Sequence, residues 1–485
     1  MSETHRPPPT PFCGFARDDN GRRIVPESAT NVLVSGPSGI GKTSTVLAPA
    51  AVLWTAGPVV IVGPKDDLME LVMQRRYGPS ALIDLRPDYE ADYPGVEQLS
   101  FDPTKLIGTP DQAFTIANTM MAMSAVGMGS GADQVSDAGI WESNSETPLA
   151  AMLYAASPPG RNQRGGNGGG IDWILHAVNN TKVTPKNQQI PTDPGWEAAA
   201  EIVKRLPLFS EALKATLEMD PKQRDSIALT VRKAVMPWMR LSMRGVHYPA
   251  FDETFLADPT ATLYVLTPAE GSIAGAAVTL LDFLIRLWRA KTSRKEMSHR
   301  LLIVVDEAAN VAPMPALRRY ISEGRGLGVN LMLAVQASSQ LETVYGSAYM
   351  RELRDTFPGA LVMFGAPEME FLQRAEEWEG QTTRRQETFD QVSSQKTVSS
   401  HLGSTLDYRR LLPQNRSHAR LVRLGTAGEL TELEKWEAFV EIYDKAIQRI
   451  LKQPTTPQVR QSMWGRLAER HRQFKAASNI AAGAR

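Results

Sequence analysis

VLVSGPSGIGKTS, residues 32–44, is the stretch whose reading decides the fold. The apolar run Val32-Leu33-Val34 reads as a buried strand, and the glycine-rich turn behind it leads directly into a helix-forming segment. Gly36-Pro37-Ser38-Gly39-Ile40-Gly41-Lys42-Thr43 fits the Walker A pattern G-x-x-x-x-G-K-[ST] at every fixed position. The glycines allow main-chain N–H groups to curl around a phosphate, and the following helix directs its positive end at the same charge. Gly36 to Ser44 are therefore expected to bind nucleotide. Lys42 would reach the β- and γ-oxygens, and the Thr43 hydroxyl would ligate Mg²⁺.

A triphosphate site that hydrolyses also needs a carboxylate beside the metal and a base for water. LLIVVDEAAN, residues 301–310, offers both: five apolar residues end in Asp306-Glu307. As a Walker B strand it would place Asp306 in the Mg²⁺ shell and leave Glu307 to activate the attacking water. The expected ligands are thus ATP and Mg²⁺. Lys42 and Asp306 are 264 residues apart, much farther than a compact phosphate-loop core requires.

Candidate strands are Val32–Ser35, Val59–Gly63, Ala81–Leu85, Thr262–Thr267, Leu301–Val305, Asn330–Val335 and Ala360–Phe364. Helix-length segments alternate with them, which predicts an α/β fold: a RecA-like motor domain with a mostly parallel, doubly wound sheet. From Thr109 to about Val246 the strand signal gives way to helical stretches such as DQAFTIANTMMAMSAV and RDSIALTVRKAVMPWMRL, predicting an inserted all-helical domain. The expected organisation is 1–108 for the first part of the nucleotide-binding domain after a short disordered lead, 109–246 for the insert, 247–430 for the second part, and 431–485 for a C-terminal helix and basic tail. Within the insert, 160–170 (GRNQRGGNGGG) reads as a flexible connection, and Met120, Met121, Met123 and Met128 as adaptable packing. Residues 381–401 read as a loop or irregular β element.

Composition narrows the class. At 485 residues, 42% hydrophobic and 22% charged, the chain is long enough for a sizeable core and has the balance of a globular protein. Fifty-three basic residues offset fifty-three acidic ones, so overall charge points to no polyanion. From Lys445 onward, however, nine basic residues face the single acid Glu469, a tail open to nucleic acid, anionic lipid or simple solvation. Cys13 is the sole cysteine, which rules out an internal disulfide and a multi-cysteine zinc site. The uncharged stretch Thr45–Gly63 holds Gly57, Pro49 and Pro58, and Ser272–Arg289 holds Asp282 and Arg286 four apart, so neither reads as a membrane helix. The arginine–tyrosine clusters at 74–77 and 318–320 read as ordinary helix surface.

Beyond Asp306-Glu307, the segment VAPMPALRRYISEGRGLGVNLMLAVQASSQLETVYG resembles the TraG/TraD-type coupling proteins of conjugative type IV secretion. In that family the acidic pair is followed by a helix, an arginine in a turn, and a strand ending in Gln; Arg325 and Gln336 occupy those places. The resemblance extends to VVIVGPKDDLME, DAGIWESNSETPLAAMLYA and STLDYRRLLPQNRSHARLVRLG. Two departures stand out. Gly63 and Asp66-Asp67 replace the family's aspartate and Gly-Glu around Pro64-Lys65, and the usual N-terminal membrane helices are absent ahead of the phosphate loop.

The resemblance implies a homo-hexameric ring with nucleotide between subunits, in which Arg325 acts on the neighbour's site and Gln336 senses the γ-phosphate. It also implies an ATP-driven translocase that delivers a DNA–relaxase substrate to a type IV secretion channel. Its partners would be DNA, gripped without reading sequence and expected to be single-stranded, the relaxosome, and secretion components, with a separate membrane anchor. The expected location is the cytoplasm, peripheral to the inner face of the bacterial membrane. Two other readings stay open: a double-stranded DNA pump of the FtsK/HerA kind, and a nucleotide-gated receptor for protein substrates.

Overall fold

The computed structural model describes residues 8–87, 93–126, 137–160, 169–185, 192–243, 247–269, 271–389, 396–452 and 461–483. Its centre is a sheet of ten strands: β1 (Asn31–Ser35), β2 (Val59–Gly63), β3 (Ser80–Asp84), β4 (Glu97–Leu99), β5 (Thr262–Leu266), β6 (Leu301–Val305), β7 (Val329–Val335), β8 (Gly359–Met363), β9 (His418–Arg423) and β10 (Thr426–Glu432). Their spatial order is β10-β9-β8-β1-β7-β6-β2-β5-β3-β4. The eight strands from β8 to β4 are parallel, and β9 and β10 extend the other edge antiparallel.

The seven strands expected from apolar runs all lie in this sheet, within one residue at each end. Central parallel strands are covered on both faces, so their sequences are continuously apolar and stand out. The three-residue edge strand β4 was not anticipated, and neither were β9 and β10. At the half-exposed edge they alternate polar and apolar residues and turn tightly at Gly425 (φ 82°). Residues 381–401, read as irregular, hold most of a regular antiparallel ribbon in which Gln381–Phe389 pairs with Lys396–Ser404.

Strand periodicity divides the interior into two cores. On β6, Leu301, Ile303 and Val305 face one core while Leu302 and Val304 face the other; β2 repeats this with Val60 and Val62 against Val59 and Ile61. The first core receives the helical block, which includes Pro110–Val126, Asp137–Ala156, Pro207–Glu218 and Pro221–Ser242, together with the Gly271–Ser293 helix. Its helices fall where the insert was expected, but they share one hydrophobic core with the sheet. Asp282 ties this side together: its carboxylate accepts from the Thr119 hydroxyl at 2.9 Å, from Arg286 Nε at 2.7 Å, and from the Tyr320 hydroxyl. Met120, Met121 and Met123 are buried there, whereas Met128 and residues 161–168 lie outside the described residues.

The second core packs the helix behind the phosphate loop against the C-terminal helices Trp436–Leu451 and Met463–Gly483. Part of the basic tail is used internally. Arg466 Nε donates to Thr55 Oγ1 at 2.9 Å, and Arg470 donates to the carbonyls of Trp54 and Pro259, each at 3.1 Å. No helix among the described residues is long and apolar enough to cross a membrane.

Arg76, read from the sequence as helix surface, is buried at 4% exposure. Its guanidinium donates to the carbonyls of Ala51, Trp54 and Gly57 at 3.0, 2.8 and 3.1 Å and to Thr262 Oγ1 at 2.9 Å. It pins the end of the phosphate-loop helix to β5 and to the turn into β2. Each buried acceptor left without a donor costs about 1–3 kcal/mol. Arg76→Ala should therefore lower the unfolding free energy by at least about 3 kcal/mol in urea denaturation, and Arg76→Lys should recover only part, because a point ammonium cannot fill a planar fork. A loss below about 1 kcal/mol would show that water replaces the fork.

Candidate active site

β1 ends at Ser35 and the chain turns at once. Gly39 (φ 72°) and Gly41 (φ 99°) take left-handed backbone, which glycine adopts without the Cβ penalty. Gly36 is needed for a different reason: a Cβ there would lie 3.0 Å from both Ile40 Cγ2 and Met363 Cβ. From Thr43 the chain is helical, with a π-helical segment Thr43–Leu47 running into Ala48–Leu53. Ser38 and Gly39 are exposed at the tip, and Thr43 and Ser44 are partly buried.

Lys42 is buried at 8% exposure, with its Nζ folded back onto the carbonyls of Gly36 at 2.6 Å and Pro37 at 3.2 Å. Burial pushes its pKa below the ordinary lysine value, opposed by the charges of Asp306 and Glu307. Such an ammonium, held among neutral carbonyls, gains most from an anion placed inside the loop.

Asp306 follows β6 and is 8% exposed. The Thr43 hydroxyl donates to Asp306 Oδ2 at 2.9 Å across 263 residues of sequence. Burial raises the Asp306 pKa above the usual carboxylate value, and the hydrogen bond from Thr43 works against that rise. A hydroxyl and a carboxylate side by side form a hard-oxygen pair that fits Mg²⁺.

Glu307 adopts φ 54° and ψ 47°, the left-handed region that an ordinary L-residue pays about 1–2 kcal/mol to enter. Local bonds hold it there. Its N–H donates to Asp306 Oδ1 at 3.0 Å, and its carbonyl accepts from the N–H groups of Asn310 at 2.8 Å and Val311 at 3.1 Å. Strain of this kind persists where the surroundings over-determine the backbone.

Gln336 is brought to the same edge by strand order. β7 lies between β1 and β6, so the residue that follows it stands between the phosphate loop and the acidic pair. Gly36 N–H donates to the Val335 carbonyl at 3.2 Å, and Gln336 N–H to Gln340 Oε1 at 2.9 Å. Arg325 is not brought there. It lies in the 3₁₀ turn Gly324–Leu327 just before β7, with the seven residues of that strand between it and Gln336. At about 3.3 Å per residue this sets it roughly 20 Å away, at the opposite edge of the sheet.

The departures around Pro64-Lys65 have a structural setting. A Cβ on Gly63 would lie 3.9 Å from that of Asp306, so an aspartate there would stand beside it. Lys65 is exposed, and Asp66 pairs with Arg86 at 2.6 Å. Sequence reasoning missed Glu368, which is 2% exposed and accepts from the hydroxyls of Ser35 and Ser338, each at 2.7 Å. Within GAPEMEF nothing separates it from a solvated helix start.

Residues 300–433 match the family described as the TraM recognition site of TraD and TraG. No curated protein matches the chain in sequence. The bacterial conjugative coupling protein TrwBΔN70, in an unbound form, is 17% identical, with a TM-score of 0.54 over 87% of this chain and 88% of that one. The plasmid coupling protein TrwB in complex with a non-hydrolysable ATP analogue is 16% identical, with a TM-score of 0.52 over 89% and 96%. Its complex with a GTP analogue is 15% identical, with a TM-score of 0.52 over 84% and 85%. At such identities the likeness is one of fold.

The backbone at Glu307 yields a stability test. At ordinary positions Gly is less stable than Ala by roughly 0.5–1 kcal/mol. Here the order should invert, Glu307→Gly exceeding Glu307→Ala by about 1 kcal/mol in chemical denaturation, because only glycine relieves the left-handed strain. An alanine variant as stable as the glycine one would remove the strain argument. Across residues 300–433 the chain matches the TraM recognition site of TraD and TraG in sequence, and along most of its length it shares the fold of the TrwB coupling protein.

Proposed function

We propose that this protein is an ATP-hydrolysing motor of conjugation, which assembles as a homo-hexameric ring and passes a DNA–relaxase substrate to a type IV secretion channel. The observation that carries the reading is the meeting of the Thr43 hydroxyl with Asp306 at 2.9 Å, beside the buried Lys42. The fold likeness to a coupling protein in complex with ATP and GTP analogues supports a nucleoside triphosphate as ligand. The match to a TraM recognition segment supports a relaxosome partner.

Each residue has a task that its position supports. Main-chain N–H groups of the phosphate loop from Ser38 to Ser44 cradle the phosphates, and Lys42 exchanges the carbonyls of Gly36 and Pro37 for phosphate oxygens. Thr43 and Asp306 would hold Mg²⁺, which supplies positive charge against the phosphates. Glu307 orients the water and takes its proton. Gln336 reads the γ-phosphate from between the two motifs. Arg325, at the far edge, cannot serve its own chain's site and completes that of a neighbouring subunit, where arginines of this kind contribute about 10³–10⁵ in rate. DNA would be held through its backbone, without base readout, at the inner face of the membrane.

ATP hydrolysis by the intact protein, with and without single-stranded DNA, tests this reading. Lys42→Ala should lose nucleotide binding. Glu307→Gln should bind ATP but turn over at least about a hundredfold more slowly, the scale of a lost general base. Arg325→Ala should fall by about 10³ or more. Mixing Lys42→Ala with Arg325→Ala should restore part of the turnover, because some interfaces then pair an intact loop with an intact arginine. Full activity of Arg325→Ala in an assembled ring would end the inter-subunit role, and hydrolysis indifferent to DNA would favour a protein-substrate receptor.

A further inference from the structure

Glu368 opens the Met369–Trp378 helix, where a carboxylate commonly caps its own helix, yet its side chain makes no such bond. It turns inward beneath the phosphate loop. Oε1 accepts from the Ser35 hydroxyl at 2.7 Å and from the Ser338 N–H at 2.6 Å, and Oε2 accepts from the Ser338 hydroxyl at 2.7 Å. Ser35 immediately precedes Gly36, and Ser338 lies two residues beyond Gln336. Arg354 continues the chain outward: its Nε donates to Ser338 Oγ at 3.2 Å, and its other nitrogens pair with Glu342 at 3.5 Å and Glu370 at 2.7 Å.

Desolvating a carboxylate is expensive, and apolar side chains of equal volume would join these segments at lower cost. What the carboxylate adds is direction. Its two oxygens fix the residue just before the phosphate loop and the Gln336 segment at set positions relative to β8, and the serine hydroxyl passes the arginine's polarisation inward.

We propose that Glu368 is a positioning residue that couples the Gln336 segment to the phosphate loop, so that the presence of a γ-phosphate is registered as a difference in affinity. This rests on Gln336 facing the γ-phosphate. When the link is intact, the Gln336 segment is already ordered as nucleotide enters, and its contact with the γ-phosphate adds to binding. Without it the segment must be ordered at that moment, which cancels the contribution of the third phosphate while leaving the grip on the first two.

The test measures Kd for Mg·ADP and for Mg·AMP-PNP, a non-hydrolysable ATP analogue, on the whole protein by displacement of a fluorescent nucleotide. Glu368→Gln should hold ADP within about threefold of the unmodified protein while its preference for the analogue over ADP drops by about tenfold, equivalent to ~1.4 kcal/mol. Ser338→Ala removes one of the three donors and should shift the preference in the same direction by less; it carries the test if Glu368→Gln fails to fold. Equal weakening of both ligands would mean a merely structural role and would overturn the proposal, as would an unchanged preference or an unmodified protein with none. Lys42→Ala separates the two levels: if it binds both nucleotides as well as the unmodified protein, the site itself has been misread.

Discussion

A hydrogen bond from Thr43 to Asp306 closes a loop of more than 260 residues, and the nucleotide site exists only because the sheet brings its ends together. The bond depends on register. β1 pairs with β7 and β7 with β6, all parallel, with Ser35 opposite Val335 and Leu333 opposite Val305. The three strands therefore release their chains at one edge, and ligands of open α/β sheets bind beyond the carboxyl ends of the strands. A one-residue slip in either pairing would move an acidic or glycine-rich turn out of reach and exchange the residues of the two cores.

The same sheet makes the long insertion tolerable. Both faces of the central strands are apolar, so each needs cover, and the helical block supplies it on one side. Its helices share a continuous core with the Gly271–Ser293 helix and the odd residues of β6. The Asp282 carboxylate joins them to Tyr320, fourteen residues beyond Asp306. A movement of the segment after the acidic pair thus meets the insert through packed side chains rather than across a linker. The opposite face carries the phosphate-loop helix and the C-terminal helices, where Arg76 and Arg470 both donate to the Trp54 carbonyl.

Charge in this protein is placed inside as well as outside. Lys42, Arg76, Asp282, Asp306 and Glu368 are all buried, and each has directional partners. Burial shifts the pKa values of Lys42 and Asp306 toward their neutral forms, lysine downward and aspartate upward, and it lowers that of Arg76 as well. Phosphates and a divalent cation would reverse the penalties at Lys42 and Asp306 at once, whereas the partners of Arg76 are fixed carbonyls that need nothing further.

The sequence by itself determined the turn at 36–44, the acidic pair and the seven central strands, because these are local signals. A fully covered strand must be continuously apolar, and a phosphate turn must have glycine where φ is positive. It left β9, β10 and the short β4 hidden, since a half-exposed edge strand carries only weak alternation. It also read Arg76 as surface and passed over Glu368, because a charged residue's burial depends on carbonyls and hydroxyls supplied by distant segments. Tertiary structure alone decided which side of the sheet each candidate joins: strand order set Gln336 between the two motifs and Arg325 a strand's length away. No periodicity in the chain records which strands become neighbours, because that follows from how the whole sheet buries its two faces.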